Sequence, residues 1–131
     1  RGLGDVYKRQ IKIGMLHSTE IVEKVAHALK ILKAKKIVLD PVMVAKGGAK
    51  LINDTAVKTL QSKLIKKVLL ITPNIPEAEV LAGIEITSVD DMRRAGECLL
   101  RMGARSVLIK GGHLTDDTLT DILLTQSEEK L

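Results

Sequence analysis

The chain has 131 residues, enough for one domain with its own core, and 45% hydrophobic with 28% charged residues is the balance of a soluble globular protein. No run of about 18 apolar residues is present, which excludes a membrane-spanning helix in this sequence. The net charge of +5 raises nucleic acid as a partner, but the lysines are dispersed and Tyr7 is the only aromatic residue. Without a basic stripe or stacking platforms for bases, no nucleic-acid partner is expected.

Residues 1–10 have neither a helical nor a strand period and no apolar centre of a secretory signal. They read as a non-native or disordered lead-in, leaving 11–131 as one partial domain. Residues 11–16 form an apolar run, predicting a buried strand. Ser18 caps a helix from Thr19 to about Lys33, with Ile21, Val22, Val25, Leu29 and Leu32 on one face. His27 lies inside it and reads as structural. Lys30, Lys33, Lys35 and Lys36 cluster where that helix ends, and cations there suit its dipole.

Residues 37–39 are a second strand, closed by Asp40-Pro41. A loop bearing Gly47-Gly48 follows over 44–50, and then a short helix over 55–64. Residues 68–71 are a third strand, broken by Thr72-Pro73-Asn74, and a helix over 75–81 stops at Gly83. Ser88 caps the next helix, on which Val89, Met92, Ala95, Leu99 and Met102 keep a helical period until Gly103. Cys98 lies near that apolar face, as a small core residue would. Residues 106–109 are a fourth strand, stopped by Lys110-Gly111-Gly112. Residues 121–124 read as a fifth, antiparallel at an edge, and 126–131 as a mobile polar tail.

Apolar strands separated by helices describe a mostly parallel sheet covered on both sides. The single cysteine cannot pair within the chain, which fits a reducing, cytoplasmic setting.

In open α/β sheets ligands bind beyond the carboxyl ends of the strands. Met15-Leu16-His17, Asp40-Pro41, Thr72-Pro73-Asn74 and Lys110-Gly111-Gly112-His113 all fall there. A carboxylate, an amide at a helix start, a lysine and a glycine pair are the parts that hold a magnesium–phosphate group. Each part has a plain reading too: Asn74 with Glu77 is a helix cap, Asp40-Pro41 a strand end, Gly111-Gly112 a turn. Their coincidence at one edge favours the site. Neither G-x-x-x-x-G-K-[ST] nor G-x-G-x-x-G occurs, and His17, His27 and His113 are too scattered for zinc.

Four stretches carry a family resemblance: Ile11-Lys12-Ile13-Gly14-Met15-Leu16, Leu39-Asp40-Pro41-Val42-Met43-Val44-Ala45, Thr72-Pro73-Asn74-Ile75-Pro76-Glu77-Ala78-Glu79, and Val107-Leu108-Ile109-Lys110-Gly111-Gly112-His113. In that order they resemble the hydroxymethylpyrimidine/phosphomethylpyrimidine kinases of thiamine biosynthesis, in the ribokinase-like superfamily. Pyridoxal kinases share the Asp-Pro-Val-Met and Pro-Asn elements and are the near rival. A non-catalytic α/β nucleotide-binding module is the alternative outside enzymes.

The resemblance implies a partial ribokinase-like three-layer α/β fold, its mostly parallel central sheet carrying helices on both faces. It implies transfer of the γ-phosphate of ATP, with Mg2+, to the hydroxymethyl group of 4-amino-5-hydroxymethyl-2-methylpyrimidine and then to its monophosphate. Carried onto matching positions, Met15 and Val42 line the pyrimidine pocket, and Asp40 and Glu77 serve the metal through water. Asn74, Lys110, Gly111 and Gly112 serve the nucleotide phosphates. The resemblance allows a homo-oligomeric parent. The family's early strands and its later Gly-Thr-Gly-Cys-type anion-hole segment find no match, and Cys98 is no part of that segment. No catalytic residue is therefore assigned, and the chain alone is expected to be inactive.

Overall fold

The computed structural model describes residues 11–14, 18–32, 36–42, 53–113 and 119–126. Short aliphatic runs make the strands β1 (Ile11–Ile13), β2 (Ile37–Leu39), β3 (Leu70–Ile71), β4 (Ser106–His113) and β5 (Leu119–Thr125). Amphipathic segments make the helices α1 (Thr19–Leu32), α2 (Asp54–Thr59), α3 (Ile75–Ala82) and α4 (Val89–Arg101). The strands lie side by side in chain order, β1 to β4 parallel and β5 antiparallel at the end.

Register fixes which side chains share a face. Ile13, Leu39, Ile71 and Val107 stand in one row across the four parallel strands. Side chains of a strand alternate between faces, so Ile37 and Ile109 point the same way as that row. Right-handed crossovers between neighbouring strands taken in order put every connecting helix on one side of the sheet. Burial agrees. Ile37, Leu39, Ile71, Val107 and Ile109 are at most 1% exposed and form one core cluster with Val22 and Leu29 of α1 and Met92 and Leu99 of α4. On the other face Val38, Leu70 and Leu108 are only half-buried. The described helices supply one of the two layers that a three-layer fold requires.

Caps define the helix starts as expected. Ser18 Oγ accepts the Ile21 N–H, and Ser88 Oγ accepts the Asp91 N–H. Gly83 closes α3 in the left-handed region, at φ 75°.

Several elements differ from expectation for physical reasons. After α2 the chain widens into a π-turn over Leu60–Leu64 and tightens into a 3-10 turn over Ile65–Lys67. The extra residue in the turn lets Leu60, Leu64 and Ile65 all point inward, each at most 1% exposed. On α1 the buried stripe is Val22, Ala26 and Leu29. His27, one residue past that stripe, is exposed rather than structural, and Leu32 is 56% exposed. Cys98 is half-buried, its thiol 3.7 Å from the Ala82 carbonyl.

β1 ends at Ile13 and β3 shrinks to Leu70–Ile71. β4, by contrast, runs through the glycines that were expected to stop it. Gly111 has no side chain to hold off β5: a Cβ there would lie 1.7 Å from the Thr120 carbonyl oxygen. Gln126, placed in the mobile tail, is anchored instead, its side-chain amide donating to the carbonyls of Leu100 and Ala104 at 2.8 Å each. Residues 1–10, the 44–50 loop and the rest of the tail lie outside the described residues.

Candidate functional site

Parallel strands deliver their carboxyl ends to one edge of the sheet, and here the backbone stitching continues past the strand ends. The Asp40 N–H donates to the Ile13 carbonyl at 2.8 Å, the Thr72 N–H to the Leu39 carbonyl at 2.9 Å, and the Lys110 N–H to the Pro73 carbonyl at 2.9 Å. Asn74 and Lys110 form a parallel bridge. The residues that follow β2 and β3 are thus held in line with the middle of β4. At Asp40 the chain folds back: the Val42 N–H donates to the Asp40 carbonyl at 2.8 Å, a three-residue turn around buried Pro41.

The side chains then meet. Lys110 Nζ lies 3.5 Å from Asp40 Oδ1, with 46% of the lysine side chain and 27% of the aspartate side chain exposed. A pair this wet adds little stability, and both charges stay accessible to a ligand. Beside them α3 begins in a reciprocal cap. Asn74 Oδ1 accepts the Glu77 N–H at 2.9 Å, and Glu77 Oε1 accepts the Asn74 N–H at 2.9 Å. Glu77 is 4% exposed, the one buried charged side chain among the described residues. The positive end of the α3 dipole therefore faces the same edge as the Lys110 ammonium, with Asp40 supplying opposite charge.

Of the residues picked out from sequence, Asp40, Asn74, Glu77 and Lys110 gather at this edge. Gly111 is buried in β4 directly after Lys110, and Gly112 follows it in the strand. Val42 is half-buried two residues beyond Asp40. Met15 lies outside the described residues. No group of three or more His, Cys, Asp or Glu side chains able to hold a metal occurs among the described residues. The donor set at the edge, one accessible carboxylate with a second behind a helix cap, suits a hard cation that keeps most of its water, as magnesium does. It would not suit zinc.

Sequence reasoning missed Asp121. Its Oδ1 accepts the Gly111 N–H at 2.9 Å, and its Cα is paired with that of Lys110 across β4 and β5. Only the strand register brings it there. Two open concavities, of about 480 and 470 Å3, lie against α1, between residues such as Glu23, His27, Lys30 and Lys63. The second gathers Lys30, Lys63, Lys66 and Lys67 beside Glu23 and His27, and neither is lined by a strand-end residue.

Comparison with known proteins gives this edge its context. The family model described as phosphomethylpyrimidine kinase matches residues 2–131. The hydroxymethylpyrimidine/phosphomethylpyrimidine kinase of Bacillus subtilis strain 168 is 44% identical over 124 residues, which is 94% of this chain and 46% of the relative. The crystal structure of phosphomethylpyrimidine kinase from Clostridium difficile 630 superposes with a TM-score of 0.83 at 44% identity, covering 95% of this chain and 55% of that one. The pyridoxal kinase of Staphylococcus aureus in complex with AMP-PCP and pyridoxal gives 0.78 at 30% identity, covering 88% and 41%. The chain spans about half the length of the relatives it matches. The sheet, its helices and these likenesses make the fold a ribokinase-like α/β fold, and the chain belongs to the phosphomethylpyrimidine kinase family.

Proposed function

We propose that this chain supplies the strand-end part of a phosphotransferase site, one that moves the γ-phosphate of ATP to the hydroxymethyl group of an aminopyrimidine and then to its monophosphate. The observation that carries this is the Lys110–Asp40 pair beside the capped start of α3. Phosphoryl transfer needs positioning and charge stabilisation more than covalent help from the protein. Lys110 offers an exposed ammonium to neutralise charge gathering on the transferred phosphoryl oxygens. Asn74, pinned by Glu77, shapes the phosphate region, and Gly111 and Gly112, which follow Lys110 in β4, are proposed for the nucleotide phosphates with it.

Asp40 is the carboxylate we assign to magnesium through water. Glu77, with one oxygen engaged by the Asn74 amide, adds buried negative charge on that side. Magnesium, when bound, supplies charge neutralisation on the nucleotide phosphates. Asp40 holds Lys110; phosphate oxygens of ATP would compete for the ammonium, and Asp40 would be the carboxylate that holds the cation through water. Val42 and Met15 are proposed for the pyrimidine side, and the cytoplasm as the setting.

A chimera tests the activity. The matching segment of the Bacillus subtilis kinase is replaced by this chain, and phosphorylation of hydroxymethylpyrimidine and of pyridoxal is followed with Mg–ATP. Turnover of the pyrimidine, lost in Lys110→Ala, is expected. Turnover of pyridoxal in preference would shift the assignment to the vitamin B6 type, which the Staphylococcus aureus likeness favours as second reading. Nucleotide binding with no turnover of either would leave a binding module.

A further inference from the structure

The pairing of β4 with β5 is irregular at one place. Lys110 pairs with Asp121 and His113 with Leu119, so β4 advances three residues while β5 advances two. The extra residue makes a β-bulge in which Gly111 and Gly112 face Thr120, and bulges bend a strand and re-aim the side chains beside them. Gly111 is buried, and its N–H has left the regular ladder at the bulge. A buried amide without an acceptor is costly. Asp121 Oδ1 takes it at 2.9 Å.

We propose that Asp121 is a positioning residue for the strand-end site: its side-chain oxygen locks the bulge at Gly111 and so fixes the direction in which Lys110 leaves β4. This deepens the function proposed above and rests on it. Lys110 is then held from both sides. Its own N–H is fixed to the Pro73 carbonyl on the β3 side, and the next amide is fixed to Asp121 on the β5 side. Between these two ties the side chain reaches Asp40 at 3.5 Å. The fit is close as well as tied, because the Thr120 carbonyl occupies the place a Gly111 side chain would need and Met92 Cε lies 3.1 Å from it. The role is assigned to the hydrogen bond and not to the charge: an amide oxygen at position 121 keeps an acceptor there without the charge, so the Asn variant separates the two.

The test uses Asp121→Ala and Asp121→Asn in the 131-residue chain, with three readouts: amide exchange at Gly111, acetylation rate of Lys110, and calorimetric affinity for Mg–ATP. In Asp121→Ala, Gly111 exchange and Lys110 labelling should each rise about tenfold, the size of one lost hydrogen bond, and Mg–ATP binding should weaken by a similar factor. Asp121→Asn should stay within about twofold of the parent in all three. If Asp121→Ala opens Gly111 but leaves Lys110 labelling unchanged, Asp121 is a structural clasp only and the positioning role is overturned. An Asn variant that behaves as the Ala variant would overturn the hydrogen-bond basis. If the parent chain does not bind Mg–ATP, the function proposed above fails by itself, while the exchange and labelling data still decide whether Asp121 aims Lys110.

Discussion

Asp40 directly follows the second strand of the sheet and Lys110 lies in the fourth, and their side chains meet 3.5 Å apart. Because both are partly in water, the contact is worth well under about 1 kcal/mol to the fold. Replacing Lys110 by Ala should therefore leave the melting temperature almost unmoved. In a catalytically complete chimera the same change should lower kcat/KM by about a hundredfold or more, as loss of a preorganised charge at a phosphoryl group does. Calorimetry and a coupled ATP assay on one preparation check both halves.

The Asn74–Glu77 cap should show the reverse balance. Asn74→Ala removes the acceptor for the Glu77 N–H and should destabilise the chain by about 1 kcal/mol. For a domain of this size that is a fall in melting temperature of about 3–5 °C. Asn74→Asp keeps the cap and should melt like the parent. Thermal denaturation followed by circular dichroism measures the difference.

How much of this was legible in the letters differs from element to element. The order of strands and helices came from aliphatic runs and from caps at Ser18, Asn74 and Ser88, all local signals. Asp40, Asn74 and Lys110 could be placed at one edge because a parallel sheet puts every strand end there. Lys110-Gly111-Gly112 reads as a turn in sequence, since two glycines usually end a strand. They continue it here because β5 comes so close that only glycine fits at 111. Asp121 gave no signal at all; its meaning depends on pairing with Lys110 through a bulge, which no local pattern encodes. The π-turn at Leu60–Leu64 was also hidden, as it answers to three inward side chains and not to helix propensity.

Two glycines should respond differently to alanine. At Gly111 the added Cβ meets backbone, the Thr120 carbonyl at 1.7 Å, which cannot yield without parting β4 from β5. Gly111→Ala should cost more than about 2 kcal/mol, in the range of severe overpacking. At Gly96, inside α4, the Cβ meets only the tip of the Leu124 side chain, which can turn aside. The gain of about 1 kcal/mol in helix propensity should offset most of that crowding. Urea denaturation of the two variants should separate them clearly in midpoint.

Asp91, at the start of α4, makes the fold sensitive to acid. Asp91 accepts hydrogen bonds from the Thr87 N–H and hydroxyl and faces Arg94, and its pKa falls from 3.8 to about 2, chiefly through the Thr87 amide. A carboxylate lowered in the folded state stabilises it fully above the unfolded pKa, and the contribution is lost as pH falls through about 2. Asp91→Asn should thus be less stable than the parent at pH 6, with the gap closing only between about pH 4 and pH 2. Melting curves across that range give the test.

The most direct measurement is a titration of the chain with Mg–ATP, followed through its backbone amide resonances. Shifts should concentrate at Asp40, Asn74, Lys110 and Gly111, and the lysine and asparagine responses should disappear in Lys110→Ala. Shifts confined to the outer side of α1, or none at the strand ends with nucleotide in large excess, would contradict a phosphate site built from these residues.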